Sequence, residues 1–146
     1  MKKKVLTILL CVALIVTMMP ATGFAESGEN LMTGACGPDA TYVFNTWNGV
    51  LTINGSGSVT ESPWAANGWY QQIRTINIGS KIERINEELT GFFFESLVNL
   101  TAIHVEDGNT AYKSIEGVLY SADGKTLECF PIAKQVRNYE VPEGVT

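Results

Sequence analysis

Residues 73–105 read IRTINIGSKIERINEELTGFFFESLVNLTAIHV, and their apolar spacing decides the fold. The pattern Ile73-x-x-Ile76-x-Ile78-x-x-x-Ile82-x-x-Ile85 restarts 27 residues later as Leu100-x-x-Ile103-x-Val105. After a further 36 residues it restarts as Val136-x-x-Tyr139-x-Val141-x-x-x-Val145. Each x-Ile-x-Ile-x segment predicts a short strand. Alternation turns Ile76 and Ile78 inward and Thr75 and Asn77 outward.

A template recurring at a period of roughly 20–30 residues around an L-x-x-L-x-L core reads as a leucine-rich repeat. A single coil cannot bury its apolar row, whereas stacked coils share one, so stability grows with neighbours. The competing reading is an ordinary β-sandwich of alternating strands. Between the first two copies, 86–99 predicts a short helix or coil on the convex side that buries Phe94 and Leu97. The longer third spacing has a local cause. Gly117-Val118-Leu119-Tyr120 and Thr126-Leu127-Glu128-Cys129-Phe130 flank Asp123-Gly124, which predicts a hairpin inserted at 117–130.

Upstream, Thr41-Tyr42-Val43-Phe44 and Val50-Leu51-Thr52-Ile53 are rich in β-branched and aromatic residues. Asn48-Gly49 between them predicts a second hairpin. Two of the three tryptophans, Trp64 and Trp69, follow in ESPWAANGWYQQ, residues 61–72. They read as plugs for the end of the core, or as rings that stack on carbohydrate. Residues 26–34 are polar and glycine-bearing, a mobile lead-in.

The first 25 residues have another character. Lys2, Lys3 and Lys4 precede an apolar run, Val5 to Met19, broken only by Thr7 and Thr17. Pro20 ends the run, and Gly23 and Ala25 sit where small residues precede a cut. This predicts a secretory signal peptide cleaved after Ala25. The run is short of the ~20 apolar residues that a bilayer span needs. Cys11 lies inside the run rather than at its end, which argues against a lipid-anchored cysteine.

The chain has 146 residues, 45% hydrophobic and 17% charged, with 10 basic and 15 acidic side chains. Three of the basic residues fall before Ala25, leaving 7 against 15 acids, a formal −8 for residues 26–146. An acidic exported chain is poorly suited to nucleic acid or to anionic membranes. A single histidine excludes a multi-histidine metal site, and the cysteines lack zinc spacing. Cys36 and Cys129 would remain after cleavage. They read as two buried thiols or as a disulfide that export permits.

No nucleophile with a base, metal set or placed acid pair stands out, so the expectation is a non-enzyme without cofactor. Glu87-Glu88 and Glu106-Asp107 read as solvated acids. Asp107-x-Asn109 lacks the spacing of a calcium loop. The glycosylation sequons at Asn54 and Asn99 read as incidental.

Several segments resemble the exported bacterial BspA-like leucine-rich repeat proteins. The most specific are Tyr112-x-Ser114-Ile115-x-Gly117-Val118-Leu119-Tyr120 and Val141-Pro142-Glu143-Gly144-Val145-Thr146. Gly34-Ala35-Cys36-Gly37, Leu51-Thr52-Ile53, Gly55-x-Gly57 and Pro63-Trp64 resemble the leader of such proteins. The likeness spans nearly all of 33–146. It departs where Tyr42 replaces a frequent tryptophan and where Phe93-Phe94-x-x-Leu97 replaces Ala-Phe-x-x-Cys. About four extra residues also stand around Glu87 to Thr90. The resemblance implies a non-catalytic extracellular module for adhesion or protein binding and names no ligand.

The organisation expected is therefore a signal peptide (1–25), a flexible lead-in (26–40) and a β-hairpin leader or cap (41–72). A right-handed coil of short parallel strands follows (73–146), lacking a visible C-terminal cap. Corresponding outward positions should stack about 5 Å apart. Thr75, Ala102 and Asn138 form one predicted row, and Asn77, His104 and Glu140 another. This concave face is the expected site for a surface or extracellular protein ligand. The uncapped end suggests a front piece of a longer protein and self-association through that end. The competing functional reading is the repeat region of a larger exported enzyme, such as a cell-wall or glycan hydrolase.

Overall fold

The computed structural model describes residues 30–86, 94 and 96–146. The expected signal segment, its cleavage site after Ala25 and the extra residues around Glu87 to Thr90 lie outside that range.

Pairing begins earlier than the sequence suggests. Strand β1 (Leu31–Ala35) lies antiparallel to β2 (Ala40–Asn45), with Leu31 opposite Asn45 and Ala35 opposite Thr41. The flexible lead-in expected over 26–40 is thus corrected for 31–35. A ladder uses backbone groups, which Thr33 and Gly34 supply as well as any apolar residue. Gly34 also gives room to the Tyr42 ring, which a Cβ there would meet at 3.0 Å.

The hairpin from β2 to β3 (Val50–Gly55) forms as the sequence predicts. Its turn is held by side chains. Asn45 Oδ1 accepts the Trp47 N–H at 3.0 Å, and Asn48 Oδ1 accepts the Val50 N–H at 3.1 Å. Gly49 takes the positive φ of 73° that closes it.

From β3 the chain changes mode. It continues through β4 (Gly57–Val59), a short helix α1 (Pro63–Ala66) and a 3-10 turn (Trp69–Gln72). It then returns as β5 (Thr75–Ile78), β6 (Ile82–Ile85) and β7 (Ala102–Val105). β3, β5 and β7 are parallel neighbours, and β4 pairs in parallel with β6. The main sheet has the order β1-β2-β3-β5-β7.

Register decides what is buried. Leu51, Ile76 and Ile103 stand side by side, all fully buried. Ile53, Ile78 and Val105 form the next row, with Val105 only partly buried. Each fully buried aliphatic side chain contributes about 1.5–3 kcal/mol of transfer free energy. Ile73, Ile82, Ile85, Phe94, Leu97 and Leu100 complete the core where the repeat places them.

Hydrogen bonds tie successive turns at nearly the same offset. Thr101 Oγ1 donates to Arg74 O at 2.9 Å, 27 residues back, and Asn99 Nδ2 donates to Gln71 O at 2.7 Å, 28 residues back. Asn109 Nδ2 donates to the carbonyls of Gly79 and Ile82, both at 2.9 Å. Its Oδ1 accepts the N–H groups of Ala111 and Tyr112, both at 2.8 Å. The residue weighed as a calcium ligand is a tie between turns.

After β7 the expected coil is not continued. β8 (Tyr112–Ile115), β9 (Val118–Ser121) and β10 (Leu127–Cys129) form an antiparallel three-stranded sheet. The inserted hairpin of 117–130 is present as β9–β10, and β8 adds a strand before it. Residues 130–146 contain no strand. Val136 and Val141, expected in the core, are exposed, at 42% and 50%. Val145 and Tyr139 are partly covered.

The reason lies on the outer edge of β7. Ile103 N–H donates to Gly117 O at 2.8 Å, and Ile103 O accepts from Ser114 Oγ at 2.6 Å. A third strand at 138–141 finds those groups already used. The sheets are therefore mixed, and a continuous solenoid of parallel strands is not what the described residues make.

Candidate functional site

On the outward face of the main sheet, a ladder of partners runs Thr33, Val43, Thr52, Asn77, His104. The predicted pairing of Asn77 with His104 is present, as is that of Thr75 with Ala102. Asn138 and Glu140 are exposed in the strandless segment and extend neither row. Thr52 takes the neighbouring place in the Asn77 row instead. Its signal was in the sequence: Leu51-Thr52-Ile53 alternates as Ile76-Asn77-Ile78 does. The separation of 25 rather than 27 residues hid the match.

The row runs into an open concavity of about 320 Å³ at the C-terminal ends of the parallel strands. Thr52, Asn54, Asn77, Gly79, His104 and Glu106 provide its polar lining, and Ile78 and Val105 also line it. Alternation brings Thr52, Asn77 and His104 to the outer face. Asn54 also lies on β3, and the segments that leave β5 and β7 bring Gly79 and Glu106.

Two groups are fixed by partners. Asn77 Nδ2 donates to Thr52 Oγ1 at 3.4 Å, a long bond that turns the amide oxygen the other way. Glu106 Oε2 accepts the Ser80 N–H at 2.7 Å. The Ser80 backbone N–H, with its hydroxyl, holds the Glu106 carboxyl below the usual carboxylate range. Glu106, dismissed in sequence as one of a solvated pair, is thus an ionised acceptor in a set position. No lysine or arginine lines it. Among the described residues, no three metal-ligating side chains gather.

The tryptophans divide differently from the sequence reading. Trp64 is 1% exposed and meets Tyr42 edge to face, with centroids 5.5 Å apart. Trp69 is partly buried and stacked on Phe44 at 6.0 Å. They plug the end of the core, so stacking of a sugar on Trp64 is corrected. Pro63 at the start of α1 fixes that entry, since its missing N–H costs a helix nothing there. The exposed tryptophan is Trp47, at 84%, on the hairpin turn.

Cys36 and Cys129 are free thiols in the main core. Burial pushes Cys36 up to about 11 and Cys129 up to about 12. Neither is a poised nucleophile, which needs a depressed value.

No family model matches the chain, and no curated protein matches it. Among solved structures it is similar to a leucine-rich repeat protein from Eubacterium ventriosum, at 14% identity and a TM-score of 0.41. That likeness covers 79% of this chain and 55% of the other. It is also similar to the pneumococcal vaccine antigen PcpA, at 25% identity and a TM-score of 0.45, over 50% of this chain and 17% of the antigen. The chain thus spans little more than half of the first protein and a small part of the second.

Proposed function

We propose that this chain is an exported, non-catalytic BspA-like leucine-rich repeat module that binds a protein ligand at the bacterial cell surface. The basic head, the apolar run and the small residues Gly23 and Ala25 support export, and the 27-residue template supports the repeat reading.

Strand register carries the choice of face. It brings Thr52, Asn77 and His104 into one outward row that opens on a concavity. Concave repeat faces serve as extended binding surfaces because each turn adds one more side chain to the row.

The test has two arms. N-terminal sequencing of secreted protein should begin at Glu26; retention of residue 1 would remove the export reading. A photoreactive phenylalanine at His104 should form protein adducts on the cell envelope, and one at Glu83 on β6 should not. Equal adducts from both positions would overturn the assignment of the face.

A further inference from the structure

The concavity that His104 helps to line presents acceptors and holds no lysine or arginine. Its single charged lining residue is Glu106. The Ser80 N–H and hydroxyl hold the carboxylate, whose remaining lone pairs are open to a ligand. Asn77 gives its N–H to Thr52, so its carbonyl oxygen is also presented outward. Asn54 is exposed at the rim and adds an amide.

We infer that this concavity takes the guanidinium of an arginine side chain from an extended segment of the protein ligand. The inference rests on the face assigned above. Two features favour this cation. A planar fork of five N–H groups can meet a carboxylate and an amide oxygen together. The formal −8 of residues 26–146 draws a cationic partner toward this acidic chain.

The geometry also separates Glu106 from its neighbour Asp107. Glu106 lines both this concavity and an adjoining hollow that holds Lys113, whereas Asp107 lines only the latter.

The experiment is an amide NMR titration of the full ¹⁵N-labelled chain with acetyl-arginine amide, acetyl-lysine amide and acetyl-leucine amide. Arginine should shift the amides of Asn54, Gly79, Ser80 and Glu106, at least tenfold more tightly than the other two probes. Glu106→Gln keeps an oxygen for the Ser80 N–H and should weaken arginine binding at least tenfold. Its unshifted spectrum elsewhere shows that the fold persists. Equal binding of lysine or leucine, or an unchanged affinity in Glu106→Gln, overturns the inference. A neutral probe, acetyl-Thr-Asn-Thr amide, separates the two levels. If it shifts Asn77 and His104 while arginine shifts nothing, the guanidinium is wrong and the face stands. If neither probe shifts the row, both fail.

Discussion

The hydroxyl of Tyr112 accepts the backbone N–H of Ile85 at 2.9 Å, across 27 residues of sequence. That separation equals the 27-residue spacing of the apolar template. Burial raises the Tyr112 phenol above its ordinary value. Tyr112→Phe keeps the ring and removes the acceptor. The expected cost is about 1 kcal/mol, since one buried donor loses its partner. A shift of the urea midpoint at unchanged slope checks it.

Asn109 makes four hydrogen bonds from one amide, two given and two received. Asn109→Ala is expected to cost about 2–4 kcal/mol at roughly 1 kcal/mol per bond. Asn109→Asp keeps both acceptor bonds but turns a carboxylate oxygen toward two carbonyls. It should be no more stable than the alanine variant, as denaturant unfolding of the pair would show.

Gly55 and Gly57 both take positive φ, 88° and 75°. Their surroundings differ: a Cβ on Gly55 would overlap the Asp39 carbonyl oxygen, while one on Gly57 meets nothing within 4 Å. Gly57→Ala should therefore lose only the conformational term, about 1 kcal/mol. Gly55→Ala must also displace backbone and should lose clearly more. Thermal melts of the two variants in parallel decide this.

Alkaline pH should unfold the chain through its buried acids. Cys36 is raised from 9.0 to about 11 and Cys129 from 9.0 to about 12, both by burial. Above the unfolded value the denatured chain has released these protons and the native chain still holds them, so stability falls with rising pH. The contribution is complete below about pH 9 and is lost progressively toward pH 11 and 12. Tyr112, raised in the same sense, steepens the decline. Urea midpoints measured from mildly to strongly alkaline pH should fall, and less so in Cys36→Ala/Cys129→Ala.

Trp47 and Trp64 should respond oppositely to a quencher. Iodide should quench Trp47, which is 84% exposed, and leave Trp64 at 1% untouched. Trp64→Ala empties a core site and should cost about 3–5 kcal/mol, while Trp47→Ala should stay within about 0.5 kcal/mol.

Apolar alternation made the parallel part of this architecture legible. Ile76, Ile78 and Ile103 had to face inward wherever the strands lay, and the hairpin at Asn48-Gly49 declared itself by turn chemistry. What alternation cannot see is a strand held by backbone alone. Leu31–Ala35 carries no apolar period, yet its amides complete the β2 edge. Nor can it see competition for an edge. Val136-x-x-Tyr139-x-Val141 repeats the template, but Ser114 and Gly117 reach the Ile103 backbone from elsewhere in the chain. In the candidate site, Asn77 and His104 followed from register. Glu106 did not, because its position depends on the Ser80 amide rather than on any pattern of spacing.

The Ser114 hydroxyl on Ile103 O has a further, colloidal consequence. A bare parallel edge invites any other extended chain to polymerise onto it, and proteins blunt such edges by covering them. Here a hydroxyl and a carbonyl quench both outward groups of Ile103, at the middle of the edge where templating would begin. Ser114 on β8 and Gly117 just after it thus cover the centre of that edge, and the same residues end the parallel sheet.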